Sequence, residues 1–205
     1  GLPTTLDAAA LVTRSGLGTM VDSDGLLKWA PHNLLGKTEG SGSAAAPAGY
    51  TWLGSGSGQV AATLPNGISG YAVSGGDRYL RAAISLSPVT YTLSVFVDPA
   101  STYAGNVVQV SGFAGASGTF SATVADADAD GKVVITFTVD AGDTGGDVRI
   151  GQVSAGSGDL AFGGWHLYRS DLGGMVNNPD TGDSYVPNDT STPIFLPRVG
   201  HHIWD

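Results

Sequence analysis

The densest run of metal-type ligands in the sequence is DADADGK, with Asp126, Asp128 and Asp130 at alternating positions ahead of Gly131. Alternating carboxylates followed by a glycine match the first half of a calcium loop, where oxygens converge on a hard cation and the glycine permits a sharp turn. The second half is missing: the twelfth position is Phe137, so no bidentate carboxylate closes the loop. The run is read first as a polar turn between two strands. The one cofactor it would admit is a structural calcium, and no other is expected. A second acidic run, Asp140, Asp143 and Asp147, lies near it only if the intervening strands form a hairpin.

The histidines point away from catalysis. His201 and His202 are adjacent, and neighbours on an extended chain face opposite sides. His32 and His166 stand alone and read as structural. GSGSG and GSGSA contain a serine between glycines but lack the strand and helix that a nucleophile elbow needs. Glu39 is the one glutamate, and no carboxylate sits in an apolar run that would raise its pKa as a glycosidase acid requires. No enzyme and no catalytic residues are predicted.

Aromatic rings near loops suggest a different chemistry. Their faces stack on the C–H faces of pyranoses, and Tyr50, Trp52, Tyr71, Tyr79 and Tyr103 all lie in or beside loop-like sequence. They form the candidate glycan-binding set, with core edge or subunit interface as the competing role. Trp165, inside a strand, belongs to the core. Trp29 and Trp204 read as packing anchors.

The elements that must position these groups are strands. Charged residues are 13% of the chain against roughly 25% in ordinary domains. Glycine accounts for 32 of 205 residues, cysteine is absent and net charge is −9. Disulfides and thiolate metal sites are therefore excluded. The six arginines and three lysines are scattered, so nucleic acid is not an expected partner. No apolar run approaches the roughly 20 residues of a membrane-spanning helix, so membrane insertion is not expected either. The first ten residues lack the basic start and apolar stretch of a secretory leader.

VTYTLSVFVD alternates with Tyr91, Leu93, Val95 and Val97 on one face. KVVITFTVD does the same with Val133, Ile135, Phe137 and Val139. GGWHLYR sets Trp165, Leu167 and Arg169 against His166 and Tyr168. Turn signals recur about every 10 residues, as in sandwiches and barrels. No repeat of solenoid length appears. The predicted fold is all-β: a jelly-roll β-sandwich over residues 36–170, with an extended N-terminal arm at 1–35 and an extended Pro-rich C-terminal tail at 171–205. One helical turn is allowed within 1–12, a small hairpin around DSDG, and a Gly/Ser-rich surface loop over 36–58. The tail is expected to wrap a neighbour or its own domain.

The two flanks, TRSGLGTMVDSDGLLKWAPHNLL at 13–35 and DSYVPNDTSTPIFLPRVGHHIWD at 183–205, are the most distinctive segments. They resemble stretches of bacteriophage and prophage fibre, spike and tail proteins, where similar flanks enclose a carbohydrate-module-like β-sandwich. The resemblance is specific at the flanks and loose between them. It implies a non-enzymatic virion structural protein: a spike, tail fibre or capsid decoration component exposed on the particle after assembly in the host cytoplasm. Its partners would be other virion proteins and sister subunits, in a homo-oligomer with a trimer favoured. A carbohydrate-binding module for host-surface polysaccharide is the alternative, and a tailspike depolymerase a more distant one.

Overall fold

A computed structural model describes residues 16–196 apart from 57, 114, 143 and 179–182. The helical turn allowed within 1–12, Asp143, His201, His202 and Trp204 lie outside the described residues. Fifteen strands are described: β1 (Thr19–Val21), β2 (Leu27–Trp29), β3 (His32–Asn33), β4 (Thr51–Leu53), β5 (Val60–Thr63), β6 (Ser69–Val73), β7 (Arg78–Ser85), β8 (Thr90–Val97), β9 (Asn106–Ser111), β10 (Ser117–Gly118), β11 (Ser121–Thr123), β12 (Lys132–Thr138), β13 (Gly145–Gln152), β14 (Leu160–Arg169) and β15 (Ile194–Phe195). One short 3-10 turn, Val124–Asp126, interrupts them.

The strands build two facing sheets. One runs β10-β12-β8-β14-β6-β5 and the other β11-β9-β13-β7-β4. Strands β6, β7, β8 and β9 pair antiparallel with β14, β13, β12 and β11 in turn. Strands β8 and β9 also pair with β14 and β13. A four-strand ribbon folded back on its successor in this way is the jelly-roll arrangement, so the fold is the predicted all-β sandwich.

Period two fixes the core. Tyr91, Leu93, Val95 and Val97 on β8 and Val133, Ile135 and Phe137 on β12 face Leu80, Val108, Val110, Val148 and Ile150 of the opposite sheet, all in one buried cluster. The register of β14 against β8 shifts between Gly163 and His166. The shift keeps both Phe162 and Trp165 inward although they are three residues apart. A Cβ on Gly70 would collide with the Phe162 carbonyl, so close pairing of β6 with β14 requires glycine there.

The predicted hairpin around DSDG forms: β1 pairs with β2, Thr19 opposite Trp29 and Val21 opposite Leu27. Asp22 Oδ1 accepts the backbone N–H groups of Asp24 and Leu26, which holds the turn. The stretch 36–58, read as a surface loop, also carries β4, which pairs with β7. The flanks do not hang free. β3 pairs with β15, Ile194 opposite Asn33 and Phe195 opposite His32. Trp29, Met175 and Val186 form a small core of their own. The two flanks thus form a clasp on their own domain, the second of the two arrangements expected for the tail.

Candidate functional site

Each sheet has an outer face, and the clasp covers the β8–β14 part of one of them, leaving Val134 and Thr136 of β12 exposed. On the six-stranded sheet Thr92, Ser94, Phe96 and His166 point away from the sandwich core, yet all are buried. The Tyr185 ring packs edge-on against Phe96 and His166, at centroid distances of 5.4 and 6.0 Å. Asn33 locks the layer. Its Nδ2 donates to the carbonyls of Val186 (2.8 Å) and Trp165 (3.3 Å), and its Oδ1 accepts the N–H groups of Leu35 and Leu167. Asn188 repeats the device, donating to the carbonyls of Leu35 and Thr192 and accepting from Thr190. His166 donates from Nε2 to the His32 carbonyl at 2.8 Å, and burial drives its pKa down to about 3. His32 donates from Nδ1 to the Ala30 carbonyl and accepts the Arg169 N–H at Nε2. Both histidines are therefore neutral packing groups.

Among the described residues, the outer face of the five-stranded sheet carries no such layer. Register places Thr51, Arg81, Arg149, Gln109 and Ser121 side by side on β4, β7, β13, β9 and β11. At about 4.8 Å per strand this polar row is about 19 Å wide. The neighbouring row brings Ala83, Asp147 and Ser111 together. Asp147 organises both rows. Its Oδ1 accepts Arg149 Nε at 2.6 Å, and its Oδ2 accepts Arg81 Nε at 3.1 Å. Arg149 also donates to Gln109 Oε1 (3.1 Å) and Ser111 Oγ (3.2 Å). The bond to Asp147 raises the pKa of Arg149 further. Tyr79 completes the surface: it is half-buried, and the Arg149 guanidinium lies 5.9 Å from its ring centroid. Planar guanidinium, carboxylate and amide groups on a rigid sheet present paired donors and acceptors suited to vicinal hydroxyls.

Of the five predicted glycan-binding aromatics, only Tyr79 lies on this face. Tyr71 is 0% exposed and its hydroxyl donates to the Ala45 carbonyl. Tyr103 is 2% exposed, with its hydroxyl on the Ser154 carbonyl. Neither offers a ring face to a ligand: both fill the core because their strand or loop directs them inward. Tyr50 stacks edge-on against Trp165 and accepts its indole N–H at 2.7 Å, and burial raises its pKa. Trp52 lies opposite Leu80 on the inner side of β4, between the Tyr71 ring and the Arg78 guanidinium. The set does not converge on one surface.

The acidic run behaves as a turn. Asp126 accepts the N–H and hydroxyl of Thr123, and those bonds lower its pKa. Asp128 Oδ1 accepts the N–H groups of Asp130 and Lys132. Among the described residues no three His, Asp or Glu side chains are placed to hold a metal ion, and Asp126, Asp128 and Asp130 are no exception. Asp147, from the second acidic run, is engaged on the open sheet.

A groove of about 800 Å³ opens beside the covered face, between the β5–β6 turn, the 128–132 turn and the 183–187 segment. Glu39, Asp128, Asp130 and Asp183 line it. Tyr185 donates its hydroxyl to Glu39, and Lys132 is held by Ser184 at 2.8 Å and by the Phe96 ring.

Sequence reading missed Arg81, Gln109 and Arg149, and placed Asp147 only in an acidic run. The available signal was polar residues at the outward positions of RYLRAAISL, NVVQVSG and DVRIGQV, but their meeting depends on strand register. No protein-family model matches the chain, and no curated protein matches it in a sequence comparison.

Proposed function

We propose that this chain is a non-catalytic recognition sandwich of a phage-like virion attachment protein, which binds host-surface polysaccharide through the open face of its five-stranded sheet. The observation that carries the reading is the polar row Thr51–Arg81–Arg149–Gln109–Ser121, ordered by Asp147 and flanked by Tyr79. Rigid strands hold these groups, so little ordering cost falls on binding. The clasped flanks supply the structural half of the proposal. They resemble phage segments, and the domain would dock through them on the particle and on sister subunits, in a trimer by that same resemblance.

Binding of the purified chain to an array of bacterial capsular and surface polysaccharides tests the recognition role. The expected result is binding to at least one glycan, weakened at least tenfold by Tyr79→Ala combined with Arg81→Ala at unchanged melting temperature. Silence across the array, or binding indifferent to both substitutions, defeats the proposal.

A further inference from the structure

We infer that the open face selects acidic polysaccharide, with Arg81 taking the carboxylate of a uronate or similar acidic sugar; this rests on the carbohydrate-binding reading of the same face. The charged side chains facing outward on the strands of this face are Arg81, Arg149 and Asp147. Asp147 is spent internally. Its side chain is 9% exposed, and both oxygens are taken by the two arginines. Arg149 is spent as well: its Nε, Nη1 and Nη2 serve Asp147, Gln109 and Ser111.

Arg81 differs. Its side chain is 46% exposed, and Nε alone is bonded, to Asp147. Its two terminal amino groups have no partner among the described residues. Two guanidiniums thus share one carboxylate, which leaves one positive charge in excess on this face although the whole chain carries a net charge of −9.

The surroundings suit a bidentate anion. Ala83, next on the same side of β7, is exposed and too small to cover the fork. Thr51, opposite Arg81 across the strand pair, is exposed and offers a hydroxyl beside it. Asp147 fixes the guanidinium from behind through Nε, so its orientation is set before a ligand arrives. A guanidinium presents parallel N–H groups that match a carboxylate, while a neutral sugar satisfies them less well. Hydroxyls of the flanking residues of the glycan would then lie along the polar row and against Tyr79.

The experiment titrates the intact chain with a hyaluronan octasaccharide, a polyguluronate octamer and the carboxyl-reduced, neutral form of each. The same titrations are run with Arg81→Gln, which keeps a planar donor but removes the charge. The expected result is binding of at least one acidic oligomer, at least tenfold weaker binding of its reduced form, and loss of that discrimination in Arg81→Gln. Raising the salt from 50 to 500 mM should weaken the acidic oligomer and leave the reduced one unchanged. Equal affinity for acidic and reduced oligomers overturns the acid selectivity and leaves the binding face standing. Discrimination that survives in Arg81→Gln assigns the carboxylate elsewhere and also overturns it. No binding of any oligomer, acidic or neutral, defeats the selectivity together with the reading beneath it.

Discussion

The outer faces of the two sheets have been put to opposite uses. On the six-stranded sheet the outward residues Ser94, Phe96 and His166 are buried beneath the clasp. On the five-stranded sheet Arg81, Arg149 and Gln109 face outward, with none of the described residues laid across them. Both faces are polar in sequence, and the difference lies in how that polarity is satisfied. Beneath the clasp, Asn33, Asn188 and His32 bond to backbone, so the layer is a locked structural joint. On the open face, side chains bond to one another and leave donors toward solvent. Most buried polar groups beneath the clasp are paired within the protein, Ser94 Oγ and His166 Nδ1 being exceptions without a hydrogen bond among the described residues, whereas an exposed group can keep capacity for a ligand. This contrast separates the joint from the recognition surface.

Substitutions at the joint should produce the largest effects. Asn33→Ala removes four hydrogen bonds and strands the N–H groups of Leu35 and Leu167. We expect a loss of about 3–5 kcal/mol in denaturant unfolding. Arg81→Ala, across the molecule, should cost less than about 1 kcal/mol because its ion pair is half exposed. Comparable losses at both positions would erase the contrast.

The joint should also be the acid-sensitive side. The folded pKa of His166 lies near 3, below the ordinary value of about 6.5 that it regains on unfolding. Its neutral form is favoured in the fold. The associated stability is fully present above pH 6.5 and is lost as the pH falls from there toward 3. In His166→Gln the amide keeps a donor for the His32 carbonyl without titrating. Its melting temperature should fall less steeply between pH 7 and pH 4 than that of the parent; parallel curves would show that His166 does not titrate on unfolding.

A smaller effect is expected at the acidic turn. Asp128→Ala loses two N–H···carboxylate bonds at an exposed site and should cost about 1 kcal/mol. Millimolar calcium should leave the melting temperature of the parent unchanged. A rise of several degrees would mean that Asp126, Asp128 and Asp130 rearrange around the ion.

Much of the sandwich was legible in the sequence because period-two alternation directly states which side of a strand is buried. Leu93, Val95, Ile135 and Phe137 took the sides that their spacing dictated. The hairpin at DSDG was legible because Asp and Gly chemistry is local. Register was not: Arg81, Arg149 and Gln109 meet only because three strands align, and nothing in each strand alone fixes that alignment. The clasp was half legible. The flanks stood out as segments, but the bonds from Asn33 to Val186 and from Asn188 to Leu35 span about 150 residues of sequence. The aromatic set misled for a related reason. Proximity to a loop does not decide whether a ring turns outward, and Tyr71 and Tyr103 turn in.

The most direct test of the account is an amide NMR titration of the isotopically labelled chain with a glycan that it binds. The account predicts shift changes concentrated at Tyr79, Arg81, Gln109 and Arg149, with Asn33, Phe96 and His166 unmoved. Changes centred on the clasp or the groove beside Glu39, with the five-stranded sheet silent, would contradict it.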